Sequence, residues 1–157
     1  MDVTLQAWSA TDFNDFQRLI TMPQIAENGN IQVQTTAAQQ RMFDGDRQQP
    51  YQTSIRLDNQ IIGSIIAYPL LTTNLIDEPL KHELSYFLDP AYWGNRIMTN
   101  AVSVFINGLP TTLQLQADVL KTNIASQKVL INNQFQLIDT YVGFDGQIHR
   151  YYERINK

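Results

Sequence analysis

Between His82 and Ile131 the apolar residues change their spacing three times, and this succession restricts the possible folds more than any other feature of the chain. His82 to Leu88 reads as a strand, closed by Asp89-Pro90. Ile97, Met98, Ala101, Val102, Phe105 and Ile106 then recur at helical spacing, a wide apolar stripe stopped by Gly108 and Pro110. Leu113, Leu115, Ala117 and Val119 alternate with Gln114, Gln116 and Asp118, which returns the chain to a strand. Thr122 or Asn123 caps a further helix running through Ile131. A β-α-β-α run requires a crossover, so at least one strand pair is parallel and the class is mixed α/β.

The flanking segments extend this unit. Val3 to Trp8 alternates as a half-buried strand, and Thr11 or Asp12 caps a helix carrying Phe13, Phe16, Leu19 and Ile20 as a core stripe, ended by Pro23. Residues 24 to 34 have no clear period, and a second helix is expected over 35 to 44, stopping near Gly45. Tyr51–Leu57 and Ile61–Tyr68 form a hairpin through Asp58-Asn59-Gln60, with Gly63 marking a bulge or a close backbone approach. Thr72 to Pro79 reads as a loop. Phe135–Phe144 and Gln147–Ile155 form a last hairpin turning at Asp145-Gly146. The predicted order is β-α-α-β-β-β-α-β-α-β-β, with a sheet of about six or seven strands.

A length of 157 residues fits a single domain over 1–157 with room for one concave site. The absence of cysteine excludes disulfides, thiolate nucleophiles and Cys-ligated metals, and His82 and His149 are too few for a His-rich metal site, so none is expected. A net charge of −4 argues against nonspecific nucleic-acid binding. The stretch Met1–Phe13 has no apolar signal region, and Ile61–Leu71 is too short to span a bilayer, so a cytoplasmic protein without membrane contact is expected. Oligomeric state is not legible.

The chemistry concentrates in the strand, loop and helix start from Glu83 to Ala101. The first turn of a helix carries unpaired N–H groups and the positive end of the macrodipole, and Gly94-Asn95 lets the loop turn tightly before it. Such a turn can hold a phosphate or pyrophosphate. It can also be an ordinary strand-to-helix connection, with Gly94 present only for its φ angle. No GxGxxG fingerprint or P-loop occurs.

The same residues carry a family resemblance. Asp89-Pro90-x-Tyr92-Trp93-Gly94-Asn95-x-Ile97-Met98-Thr99-x-Ala101 resembles the acetyl-CoA-binding motif of the GNAT N-acetyltransferases, in the ribosomal-protein N-terminal acetyltransferase (RimJ/RimL-like) branch. Asn123-Ile124-Ala125-Ser126-Gln127-Lys128-Val129-Leu130 is similar to that branch's Asn-x-x-Ser-x-x-Val-Leu segment, and Asn133-Gln134-Phe135 stands where Leu-Gly-Phe is usual. The element order extends the likeness from Val3 to Ile155.

The resemblance implies a GNAT-like fold in which the strands Glu83–Leu88 and Leu113–Val119 are parallel neighbours that splay apart, with flanking helices and acetyl-CoA wedged between the strands as co-substrate. It places the pantetheine against the strand backbone at Phe87 and Leu88, where a backbone N–H near Leu88 would polarise the thioester carbonyl. The pyrophosphate would lie on the amides of Gly94, Asn95, Arg96, Ile97, Met98 and Thr99, with Trp93 and Asn123 beside the cofactor. Glu83 matches a general-base position, working directly or through water if burial raises its pKa; alternatively it is a solvated carboxylate near Lys81. Ser126 matches a proton donor to the departing thiolate, or simply supports the helix cap with Asn123. The acid tyrosine of many relatives falls at Leu130.

Three positions depart from the pattern: Arg96 replaces a glycine, Asn100 a glutamate and Gln134 a glycine. Arg96 would either contact phosphate or block the site. The implied activity is direct acetyl transfer from acetyl-CoA to a primary amine, on a protein N-terminus or a small molecule. The alternatives are a polyamine or aminoglycoside-like acceptor, or a non-catalytic acyl-CoA-binding module. The acceptor would be bound by Met22–Gln48 and the Phe144–Gln147 turn. His82 reads as a surface or hydrogen-bonded residue, and His149, among Arg150, Tyr151 and Tyr152 in the last hairpin, as part of a cross-strand aromatic cluster.

Overall fold

Alternating apolar residues build a seven-stranded mixed sheet in the computed structural model, which describes residues 2–70 and 81–154. The strands are β1 (Val3–Gln6), β2 (Gln52–Leu57), β3 (Gln60–Pro69), β4 (Lys81–Leu88), β5 (Gln114–Leu120), β6 (Phe135–Val142) and β7 (Ile148–Arg154). Their order is β1-β2-β3-β4-β5-β7-β6. All neighbours are antiparallel except β4 and β5. That parallel pair is the one the crossover requires. The expected loop Thr72–Pro79 lies outside the described residues.

The helices are α1 (Phe13–Ile20), α2 (Pro23–Asn28), α3 (Thr36–Gln48), α4 (Ile97–Asn107) and α5 (Ile124–Asn132). They cover both faces of the sheet. The stripe on α4, with Val129 and Leu130 of α5, packs on Ile62, Ile65, Leu84, Leu88, Leu115 and Ala117. On the other face, Phe16, Leu19 and Ile20 of α1, Ile25 of α2 and Phe43 of α3 enclose Trp8 and Ile61.

Four expectations need correction. Residues 24–34 contain a helix, α2, because Pro23 begins it as well as ending α1: a first-turn proline loses no hydrogen bond. The order therefore gains a helix. α3 runs through Gly45 to Gln48, because a glycine inside a helix weakens it by only about 1 kcal/mol against alanine and does not by itself end it. It stops because Gln49 precedes Pro50 and is forced extended, at φ −70° and ψ 140°. Of the two expected caps, Asp12 is the N-cap of α1 but makes no side-chain cap bond to it; its carboxylate instead closes a capping box with Ser9 over the 3₁₀ turn that precedes the helix. β6 ends at Val142, short of Phe144.

Gly63 shows both of its expected features. The β2–β3 register slips beside it, between Ile55 and Arg56. A Cβ on Gly63 would stand 2.5 Å from the Phe87 carbonyl oxygen.

Candidate active site

The parallel β4–β5 ladder is short: it pairs Lys81 with Gln114, His82 with Leu115 and Glu83 with Gln116, and then ends. Beyond Glu83 the two strands part, as expected, leaving the β5-facing backbone of β4 without a ladder partner. The gap opens into a cavity of about 1060 Å³, at the top of the ~300–1,000 Å³ range of small-molecule sites.

At the C-terminal end of β4 the cavity meets the start of α4. Gly94 (φ 82°) and Arg96 (φ 60°) both occupy the left-handed region. Arg96 is the N-cap and supplies no side-chain cap, whereas Thr35 caps α3 and Asn123 caps α5. The first amides of α4 thus point out of the helix uncapped, with Ile97, Met98 and Thr99 lining the cavity. The loop is held from behind. Asp89 accepts from the Ala91 amide and pairs with Arg18, and Trp93 donates its indole N–H to the Leu88 carbonyl at 2.8 Å. The Asn95 side chain turns back onto the Tyr92 and Trp93 carbonyls and does not line the cavity. Arg96 lines it, exposed, and its guanidinium has no hydrogen bond or ion pair among the described residues.

At the other end, where the strands part, the lining turns acidic. Glu83 and Asp118 face the cavity there, and Asp46 of α3 accepts the Tyr68 hydroxyl at 2.7 Å. Burial, and secondarily the charge of Asp118, raises the Glu83 pKa. Burial also raises Asp46, against the opposing Tyr68 bond. Lys81 does not pair with Glu83; its Nζ lies 3.6 Å from Glu153. Among the described lining residues the basic side chains are Arg96, Lys128 and His149, the last charged only when protonated. None of the described His, Asp and Glu residues group in threes to hold a metal.

The two histidines take different settings, and for His82 the surface alternative is ruled out. His82 is buried and meets Tyr51 edge-on at 5.6 Å. His149 makes the expected cross-strand aromatic contact, stacking on Tyr141 of β6, and its ring nitrogens also bond Asp118 at 2.7 Å and Asp145 at 2.9 Å, which the sequence reading lacked. A β7 side chain opposite Leu120 naturally meets β5 and the turn after β6.

On the α5 side, Asn123 Oδ1 accepts the Ser126 amide at 3.1 Å, and the Tyr86 hydroxyl lies 2.8 Å from Ser126 Oγ. Sequence reasoning missed Tyr86, Asp118, Asp46 and Lys128. The alternation of β4 and β5 could have placed the first two in the gap, whereas nothing local marks Asp46, which reaches it from α3. Phe87, Leu88, Trp93, Gly94 and Asn123 also line the cavity, so the expected residues other than Asn95 surround one space. Gln24, Ile25, the residues from Asn28 to Val33 and Met42 also line it, and no residue of the Phe144–Gln147 turn is part of the lining.

A profile of the acetyltransferase (GNAT) domain matches residues 2–136. Among curated proteins none matches the sequence. Solved structures match the fold. The ribosomal-protein-S5-alanine acetyltransferase of Vibrio fischeri is 17% identical, with a TM-score of 0.80 over 100% of this chain and 94% of that one. A GNAT-family acetyltransferase of Bacillus anthracis is 11% identical, at 0.81 over 99% and 96%. AAC(6′)-Ib in complex with paromomycin and acetyl-CoA is 18% identical, at 0.77 over 98% and 93%. At such identities the likeness is one of fold.

Proposed function

The chain belongs to the GNAT acetyltransferase family, and from that premise we propose that residues 1–157 form one catalytic domain that acetylates a primary amine on a cationic carrier. As a member of the family it is an acetyl-CoA-dependent N-acetyltransferase. The observation that carries the proposal is the polarity of the cleft between β4 and β5: uncapped helix amides and Arg96 at one end, and Glu83, near Asp118 and Asp46 and without an ion pair among the described residues, at the other. About five residues of β4, roughly 16 Å of strand, separate Glu83 from Leu88.

Bound acetyl-CoA supplies an acetyl thioester, whose carbonyl carbon takes the amine and whose sulfur departs. The amides from Gly94 to Thr99 fit the pyrophosphate because no side chain caps them, and Arg96 adds a free guanidinium there. In this reading the exposed β4 edge at Phe87 and Leu88 orients the pantetheine, with Trp93 and Asn123 flanking it. Glu83, its pKa raised, removes the ammonium proton of the acceptor, and the negative field of Asp118 helps draw the cation in. Ser126 faces the leaving sulfur as a donor. No acyl-enzyme nucleophile is required, which accords with a chain without cysteine.

The acidic lining favours a small polyamine or aminoglycoside-like acceptor, which also suits a cytoplasmic enzyme. A protein N-terminus, as in the ribosomal-protein branch, is the second reading; it rests on the Asn123–Leu130 segment and on the fold likeness to the S5-alanine enzyme. An amine-panel assay detecting free CoA, with polyamines, aminoglycosides and N-terminal peptides as acceptors, tests the choice. Turnover of polycationic small amines is expected. Turnover of peptides alone would move the second reading to first place, and no turnover with any amine would remove the proposal.

A further inference from the structure

The two edges of the sheet are finished differently. β1, at one edge, has four residues, and Val3 is the one large apolar residue exposed on it. A strand that short offers little to another chain. β6, at the other edge, has eight residues, all exposed except Phe135. Leu137, Ile138, Tyr141 and Val142 stand exposed on it, and Phe144 and Ile148 follow in its hairpin. No lysine or proline blunts this strand, and Asp139 is its one charge. The β6–β7 register slips between Leu137 and Asp139, so the bulge bends only the start of the edge, and Asp139 to Val142 pair regularly with β7.

Further apolar surface adjoins it. Arg150 of β7 pairs with Thr140 and reaches Gln127 of α5 at 3.0 Å. Ile124 and Ile131 flank Gln127 on the same side of α5, and both are more than half exposed. By their exposed fractions these eight side chains leave roughly 1,000 Å² in water, above the ~300–600 Å² of the largest patch on a typical monomer and enough to supply the ~800 Å² each partner gives to a standard interface. The backbone is available as well. Gly143 donates its N–H to the Gln147 carbonyl, and Tyr141 and Asp139 lie opposite His149 and Tyr151. Alternation therefore turns the amides and carbonyls of Tyr141 and Asp139 toward β7, and those of Thr140 and Val142 out of the sheet.

We propose that a second copy of this chain docks here: β6 pairs with β6 of the other copy, antiparallel about a two-fold axis at Thr140, so that the two sheets become one. The strand is complementary to itself in this register. Thr140 faces the partner's Thr140, Val142 faces the partner's Ile138, and Asp139 faces the partner's Tyr141, so hydroxyl meets hydroxyl and aliphatic meets aliphatic. An axis at Asp139 would instead set two carboxylates against each other. Charge also selects a second copy. The chain carries a net charge of −4, yet this strand holds a single carboxylate, so two acidic copies meet here with little repulsion and a basic partner finds no row of acids to bind.

The oligomeric state of the full chain tests the proposal. Sedimentation velocity at micromolar concentration should give twice the 18.0 kDa of one chain. Thr140→Lys, at an exposed position, sets two ammonium groups at the axis and should weaken self-association about a hundredfold or more, with the far-ultraviolet circular dichroism unchanged. Because the chain has no cysteine, Thr140→Cys introduces its only thiol. Residues opposed at about 5.5 Å between Cα atoms are within disulfide reach, so mild oxidation should convert this variant to a covalent dimer, while Thr4→Cys on β1 stays a single chain. A parent chain that sediments as a monomer overturns the inference. So does a dimer that survives Thr140→Lys, and so does one that cross-links through Thr4→Cys as readily as through Thr140→Cys. A dimer lost in Thr140→Lys but never cross-linked by Thr140→Cys overturns the axis, and the register falls with it.

Discussion

Arg96 occupies a backbone conformation that favours glycine. At φ 60° a side chain is strained by about 1–2 kcal/mol, and the guanidinium recovers none of this from a partner among the described residues. A residue kept at a cost beside uncapped amides fits an anion-binding role. Arg96→Gly should therefore raise the unfolding free energy by about 1 kcal/mol in urea titration. Both Arg96→Gly and Arg96→Ala should weaken acetyl-CoA about ten- to a hundredfold by calorimetry, less so at high salt. Tighter binding by both variants would mean that Arg96 occludes the site. Glu83 shows a similar conflict. Its folded-state pKa lies above 4.5, so the charge it carries at neutral pH opposes folding, and stability is lost as pH rises from 4.5 through the raised value. Glu83→Gln should stabilise the protein at pH 7 while lowering kcat/KM by roughly 10²–10⁴. A destabilised variant with full activity would assign Glu83 to structure.

At the scale of elements, the gap depends on how β4 is held by β3. The Gly63–Leu88 pairing brings the strands so close that a methyl group on Gly63 would meet backbone, which cannot rotate away. Gly63→Ala should cost about 1–3 kcal/mol in urea unfolding, and by pushing on Phe87 it should also weaken acetyl-CoA. Affinity unchanged in a folded Gly63→Ala variant would separate that contact from the site. Gly63 was legible as a closely approached position because glycine inside an apolar strand has few other uses. The splay of β4 and β5 followed from the family resemblance, and the parallel crossover from hydrophobic spacing alone. α2 was not legible: six residues without a capping side chain carry no period, and Pro23 reads equally as an end or a beginning. Tyr86 was visible as a strand residue, but its partner lies 40 positions away on α5. Alternation assigns a face to a side chain and leaves open which helix covers that face.

Across the whole molecule, the charges tie the last hairpin to the site. His149 on β7 joins Asp118 of β5 to Asp145 in the turn after β6, with Tyr141 of β6 stacked on the ring and bonded to Asp118. Burial lowers the His149 pKa, but the bonds to both carboxylates and their charges outweigh it, and the net shift is upward from 6.5. A raised histidine contributes stability that is complete below 6.5 and is lost as pH rises through its folded value. Glu83 loses stability in the same direction, but over a window that begins at 4.5. The two can be told apart by substitution. His149→Gln, neutral at every pH, should flatten the melting temperature above pH 6.5 and leave the decline that begins at 4.5 in place. His149 also offsets Asp118 beside Glu83, so its loss of charge leaves the acidic end of the cleft more negative. The KM of a cationic acceptor should then fall in His149→Gln relative to the parent chain below pH 6.5, with KM for acetyl-CoA unchanged. A melting profile identical to the parent's would dissolve the proposed link between hairpin and cleft, and a rise in KM for both substrates would show that the hairpin shapes the cleft by packing instead of charge.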